Sequence, residues 1–123
     1  MAVPIGGPPS VAVLIAEFSR GYDNEKTRHQ YVAELTDLFR ATGRRLPSEL
    51  TDADVLRWCA GNGRPVANNT VRNRLSRVTT FLRWCVRQGL ADPVLVEALC
   101  DRTNPLRRIP RLYGKLQGKH PAR

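Results

Sequence analysis

Hydrophobic residues recur at alternating steps of four and three within residues 68–89 of this 123-residue chain. The recurring positions are Val71, Leu75, Val78, Leu82 and Cys85. On an α-helix of about 3.6 residues per turn they form one narrow apolar stripe, which is typical of a face packed against a core. Asn68 or Asn69 is suited to cap the first amides, and Gly89 to end the helix. The pattern therefore predicts a helix of about 20 residues with one buried side.

Two shorter helices are predicted before this long one, in the N-terminal third of the chain. Ser10 is suited to cap the first, which should end near Gly21. The second should begin at Asp23 or Asn24 and run to about Thr42, before Gly43. Their predicted core positions are Val11, Leu14, Ile15 and Phe18, then Tyr31, Val32, Leu35, Leu38 and Phe39. Both patterns indicate amphipathic helices.

Two more short helices are predicted on either side of the long one. Thr51 and Asp54 have the spacing of a capping box, and Asp92 followed by Pro93 is a typical helix start. The apolar positions are Val55, Leu56 and Cys59 in one helix and Leu95, Val96, Leu99 and Cys100 in the other. No stretch alternates with period two over the length of a strand. The predicted fold class is all-α, a compact bundle of four to five helices.

Composition bears on where in the cell the protein is found. The chain is 41% hydrophobic, which favours a folded globule, yet no apolar run approaches the roughly 20 residues of a membrane helix. With no basic stretch before an apolar N-terminal segment, we expect a cytoplasmic protein that does not bind membranes. The three cysteines lack a C-x-x-C spacing, so we expect buried free thiols, with no metal and no cofactor.

The net charge of +9 is concentrated at one end of the chain. Residues 102–123 contain seven Lys or Arg and no acidic residue, whereas residues 1–101 contain thirteen basic and eleven acidic residues. Polarised charge of this kind indicates an anionic partner, of which nucleic acid is the commonest. We expect a flexible leader over residues 1–9, a helical DNA-binding domain over 10–102 and a basic linker over 103–123.

The long helix is also the candidate reader of nucleic acid. Beside its apolar stripe lie Thr70, Asn73, Arg74 and Arg77, and no acidic residue occurs between Asp54 and Asp92. Such side chains donate to phosphate oxygens and to base edges in a major groove. The alternative is an exposed face that serves only solvation, although such faces usually mix charges of both signs.

The first turn of the second predicted helix is a further candidate for binding an anion. Lys26, Thr27 and Arg28 lie there, where the helix dipole favours negative charge, and a bound phosphate would remove the conflict. Local balance by Glu25 is the alternative explanation.

The order of these features resembles the N-terminal core-binding domain of the tyrosine recombinases, the SAM-like domain of the phage-integrase family. The resemblance covers roughly residues 10–115. Its carriers are Thr27-x-x-x-Tyr31, Thr51-x-x-Asp54-Val55, Thr70-x-x-x-Arg74-Leu75-Ser76, Phe81-Leu82-Arg83-Trp84, Gly89 and Asn104-Pro105. Each motif is weak alone, and their order carries the similarity.

The resemblance implies a domain that clamps one face of a recombination site in duplex DNA during DNA integration and recombination. A C-terminal catalytic domain and other recombinase protomers would be its partners. Together with the charge pattern, it indicates as DNA-binding positions Lys26, Thr27, Arg28, Tyr31, Asn69, Thr70, Asn73, Arg74, Arg77, Arg107 and Arg108.

The resemblance does not extend to the family's chemistry. A nucleophilic tyrosine with arginines, a lysine and histidines is the expected catalytic set, and none of the three tyrosines here lies in such a constellation. We therefore expect no catalytic residues and no enzymatic activity, in a fragment cut at the linker.

Two other functions remain open at the level of sequence. A helical module that binds proteins without specific DNA binding would use Trp58, Trp84 and the last helix. An autonomous helix-turn-helix regulator is less consistent, because its turn is usually three or four residues long.

Overall fold

A computed structural model describes residues 10–64 and 66–101, and these residues form only helices and connecting segments. The α-helices are α1 (Val11–Ser19), α2 (Glu25–Thr42), α3 (Asp52–Cys59), α4 (Asn68–Arg87) and α5 (Pro93–Cys100), and a short 3-10 helix (Pro47–Glu49) precedes α3. The all-α class and all five predicted helices are confirmed. The predicted leader and basic linker lie outside the described residues.

The chain divides into two compact units between Leu46 and Pro47. In the first unit α1 packs against α2. In the second unit α4 packs against both α3 and α5, and α3 also contacts α5.

Four of the helix starts follow the predicted capping chemistry. The side chains of Ser10, Asn24, Thr51 and Asp92 each accept a hydrogen bond from an amide in the first turn of α1, α2, α3 and α5. At α3 the box is complete, because the Asp54 carboxylate also accepts from the Thr51 amide at 3.1 Å. Gly43 and Gly89 have positive φ and end α2 and α4 as predicted.

The start of α4 differs from the prediction. The N-cap residue is Ala67, and no side chain caps this end. Neither Asn68 nor Asn69 acts as the cap, because both lie inside the first turn, where the backbone is helical, and a capping side chain comes from the extended residue just before it.

The first unit buries three apolar residues from each helix: Leu14, Ile15 and Phe18 from α1, and Leu35, Leu38 and Phe39 from α2. Two predicted core positions of α2 are not fully enclosed. Tyr31 is half-buried and Val32 is 39% exposed, which corrects the prediction for Val32. Val32 lies about 60° around the helix from Leu35, at the margin of the apolar stripe.

In the second unit, the buried side of α4 is broader than its predicted stripe. Val71, Val78, Leu82 and Cys85 are buried as expected, whereas Leu75 is only half-buried and Phe81, outside the stripe, has no exposed surface. The core face is therefore rotated toward Phe81. From the flanking helices, the buried residues are Val55, Leu56, Trp58, Cys59 and Leu99.

The cysteines do not share one environment. Cys59 and Cys85 are buried free thiols, as predicted, but Cys100 is exposed. The prediction was wrong for Cys100 because only one side of the short helix α5 faces the core. Leu99 occupies that side, and the next residue lies about 100° further around the helix.

Gly61 makes the turn out of α3 possible. Its φ of +97° is in the left-handed region, and a Cβ there would overlap the carbonyl oxygen of Arg64. Because only glycine fits this close approach, Gly61 fixes the path of the chain from α3 toward α4.

Candidate nucleic-acid interface

One side of α4 faces away from the core and carries only polar and cationic side chains. Its exposed members, which we term the polar stripe, are Asn69, Arg72, Asn73, Ser76, Arg83 and Arg87. The whole 20-residue helix contains five arginines and no carboxylate. Like charges at this spacing repel one another, so this surface stabilises the helix less than mixed charges would.

The polar stripe overlaps only partly with the positions predicted on α4. Asn69 and Asn73 are exposed, whereas Thr70, Arg74 and Arg77 are half-buried. The difference follows from the rotated core face, since Arg74 lies two turns before buried Phe81 on nearly the same side of the helix.

Arg74 contacts α3 within the same unit. Its Nη1 donates a hydrogen bond to the carbonyl oxygen of Trp58 at 3.2 Å, and the guanidinium carbon lies 5.0 Å from the centre of the Trp58 ring. The same carbonyl accepts from the Gly61 amide at 3.0 Å. A cation at the C-terminal end of α3 also meets the negative end of the helix dipole. Arg74 thus has a structural role that requires no DNA.

Arg28 in the first turn of α2 is likewise engaged within its own unit. Its Nη1 donates to the carbonyl oxygens of Tyr22 at 2.6 Å and Asp23 at 3.0 Å, which fixes the turn between α1 and α2. Lys26 is exposed, and Thr27 is half-buried with its amide bonded to the Asn24 side chain. Of these candidates, Lys26 is the one whose side chain is most open to a ligand.

Tyr31 belongs to an aromatic cluster. Its ring stacks on Tyr22 with 4.8 Å between centroids and meets Phe18 edge to face at 5.1 Å. The Tyr22 and Tyr31 hydroxyls lie 3.4 Å apart. These contacts stabilise the packing of α1 against α2, and this structural role is sufficient to explain a tyrosine at position 31.

Sequence reasoning missed Arg72, Ser76, Arg83 and Arg87 as members of the exposed face. A signal for them was available, because residues opposite Val78, Phe81 and Cys85 on a helical projection fall on this side. Arg107 and Arg108, also predicted to bind DNA, lie outside the described residues.

We also searched the described part of the chain for metal sites, membrane-spanning helices and reactive thiols. No group of three His, Cys, Asp or Glu side chains there could hold a metal ion, and none of the helices is long and apolar enough to cross a membrane. Burial raises the pKa of the Cys85 thiol to about 12, so this group stays protonated at neutral pH.

Trp58 and Trp84, the aromatic residues considered for protein docking, both pack within the second unit. Trp58 is 3% exposed, and half-buried Trp84 stacks on Phe81 with 6.1 Å between ring centroids. Trp58 is therefore part of the core and offers no surface to a partner.

No family model, curated protein or solved structure matches this chain. The polar stripe and the contacts of its neighbours are therefore the basis for assigning a function.

Proposed function

We propose that this chain is a DNA-binding helical module of the kind found at the N-terminus of tyrosine recombinases, and that it contacts duplex DNA through α4. The observation that carries the proposal is the polar stripe, where three exposed arginines and two exposed asparagines share a helix face without a carboxylate. Such a face has little structural value by itself, and a polyanion would relieve its repulsion.

The stripe has the chemistry and size to read DNA. Arginine donates to phosphates or to guanine, and asparagine pairs with adenine, in a major groove about 12 Å wide that admits one helix. Asn69, Arg72 and Asn73 lie in the N-terminal third of α4, beside an end that has no side-chain cap. Arg83 and Arg87 lie more than two turns further along and would reach the phosphate backbone.

The remaining predicted contacts have a secondary place in this proposal. Lys26 and the basic segment after residue 101 would add phosphate contacts, whereas Arg28, Tyr31 and Arg74 are already engaged by intramolecular contacts. Strand cleavage would need a catalytic domain supplied by a longer protein. The free thiols suit the reducing cytoplasm, where such a protein acts on DNA.

The proposal is tested by fluorescence anisotropy with a labelled duplex at about 50 mM salt. We expect the double variant Arg72→Ala/Arg87→Ala to lose most of its affinity. The matched control is Arg57→Ala with Arg64→Ala, which removes the same charge from exposed arginines outside α4.

Two results would count against the proposal. One is the absence of duplex binding by the parent chain at this salt concentration. The other is an equal loss of affinity in the two double variants, which would show attraction by net charge alone.

A further inference from the structure

A groove of about 500 Å³ runs between α4 and α5. Its apolar lining comes from half-buried Leu75 and from Leu99, which has no exposed surface, and its polar lining on α4 comes from Arg72, Asn73 and Ser76. Leu75 is half-buried, so part of its apolar surface is left open to the groove. The volume lies within the range of pockets that bind small molecules or peptide side chains, about 300–1,000 Å³.

The charged residues of α4 at the groove are arginines. Arg72 lines it directly, and Arg83 adjoins it through Cys100, whose Sγ accepts a hydrogen bond from Arg83 Nη2 at 3.3 Å. Both arginines are exposed. None of the described residues that line the groove is acidic. The groove therefore combines an apolar base with a cationic edge.

This combination selects among the possible occupants. The basic segment of the same chain, with seven Lys or Arg over residues 102–123, would be repelled by Arg72 and Arg83. A DNA backbone would pair with the arginines, but its phosphates would leave the open surface of Leu75 without an apolar partner. A peptide that carries an aliphatic or aromatic residue flanked by carboxylates satisfies both features.

We propose that the α4–α5 groove is a docking site for an acidic peptide segment of a protein partner, with one apolar side chain seated over Leu75 and flanking carboxylates paired with Arg72 and Arg83. This is the mode in which grooves between helices hold peptides through a few apolar anchors. The proposal does not rest on the proposed DNA function, although both surfaces include Arg72, Asn73, Ser76 and Arg83.

The test is a ¹H–¹⁵N NMR titration of the full chain with a nine-residue peptide of glutamates around one central leucine. We expect saturable shifts at the amides of Arg72, Leu75, Ser76 and Cys100. Replacing the leucine by glutamine, or the glutamates by glutamines, should weaken the peptide about tenfold or more.

Three variants separate a groove from general attraction. Arg72→Glu should weaken the peptide about tenfold, whereas Arg87→Glu, an equal charge change on α4 outside the groove, should change affinity less than about threefold. Ser76→Phe keeps every charge and should block binding by filling the groove. Thermal melts of the three proteins establish that each is folded.

The proposal is overturned by any of three results. These are an absence of shifts at millimolar peptide, equal effects of Arg72→Glu and Arg87→Glu, or groove shifts caused by a DNA duplex while the peptide causes none. The last result would make the groove part of the DNA interface.

Discussion

Among single residues, Arg74 makes a specific contact between α3 and α4. Its guanidinium donates to the last turn of α3 and covers the Trp58 ring, so it joins α4 to α3 through a charge-assisted hydrogen bond and a cation–π contact. The side chain is half-buried, which limits screening by solvent. Arg74 therefore contributes to the packing of α4 on α3, unlike the exposed arginines of the polar stripe.

Arg74→Ala should therefore lower the free energy of unfolding by about 1–3 kcal/mol, since it leaves the Trp58 carbonyl with one donor fewer and uncovers the ring. Arg72→Ala, two residues away and exposed, should stay within about 0.5 kcal/mol of the parent. Urea denaturation followed by circular dichroism measures both. Equal stability of the two variants would show that the Trp58 contact contributes nothing.

The three thiols provide a second prediction at this scale. With 5,5′-dithiobis(2-nitrobenzoate) at pH 8, one thiol of the native protein should react at once, and Cys100→Ser should remove that phase. Cys59 and Cys85 are buried and should react only as fast as the protein opens. Three fast thiols in the native protein would contradict the described core.

The raised pKa of Cys85 also predicts a pH effect. Between pH 9.0, the ordinary pKa of a thiol, and about 12, the unfolded chain has released the Cys85 proton and the folded chain retains it. The folded state binds more protons in this window, so stability should fall as the pH rises from about 9 toward 12. Denaturant titrations of the parent and of Cys85→Ala should show a shallower decline in the variant.

At the scale of elements, α4 carries a core face and a polar face whose substitutions should have separate effects. Leu82 has no exposed surface, and Leu82→Ala should lower stability by about 2–5 kcal/mol through loss of packing. Leu75→Ala should cost less, because Leu75 is half-buried at the groove.

Arg87→Ala is the matched change on the opposite side of the same helix. It should keep the parent melting temperature and weaken duplex binding, whereas Leu82→Ala should melt earlier. Melting temperature and DNA affinity measured on the same proteins check this division. An Arg87→Ala protein that melts early yet binds DNA like the parent would refute it.

At the scale of the whole molecule, charge governs how the chain meets DNA. Residues 1–101 contain thirteen basic and eleven acidic residues, which nearly balance. Residues 102–123 contain seven further basic residues and no acidic residue, and they contribute most of the net charge of +9. Such an arrangement makes binding depend strongly on salt, because each neutralised phosphate releases a counterion.

Affinity for duplex DNA should therefore fall steeply between about 50 and 200 mM salt. Removing residues 104–123 should reduce affinity for all sequences alike and flatten the salt dependence. All described helices end by Cys100, so we expect the truncated chain to keep its melting temperature. Anisotropy titrations at several salt concentrations measure the slope, and an unchanged slope would exclude a contribution from the removed segment.

Local chemistry in the sequence was enough to predict the helices and most of their ends. The caps at Ser10, Asn24, Thr51 and Asp92 and the glycine exits involve residues within a few positions of each other, so their geometry is set by the local chain. Apolar periodicity also predicted most of the buried residues, because a helix places residues at steps of three and four on the same side. The excess of positive charge is also a property of the sequence alone.

Whether a side chain on a helix is buried or exposed was decided by the packing of that helix against its neighbours. How far the core extends depends on where the neighbouring helix lies, and this brought Phe81 inside, left Val32 and Cys100 exposed and drew Arg74 onto Trp58. The exposed face of α4 therefore includes Arg72 and Arg87 and not Arg74, which had been predicted to lie on it. Periodicity reports the direction of a side chain on its own helix, whereas the neighbour that covers it comes from residues distant in sequence, which only the tertiary structure brings together.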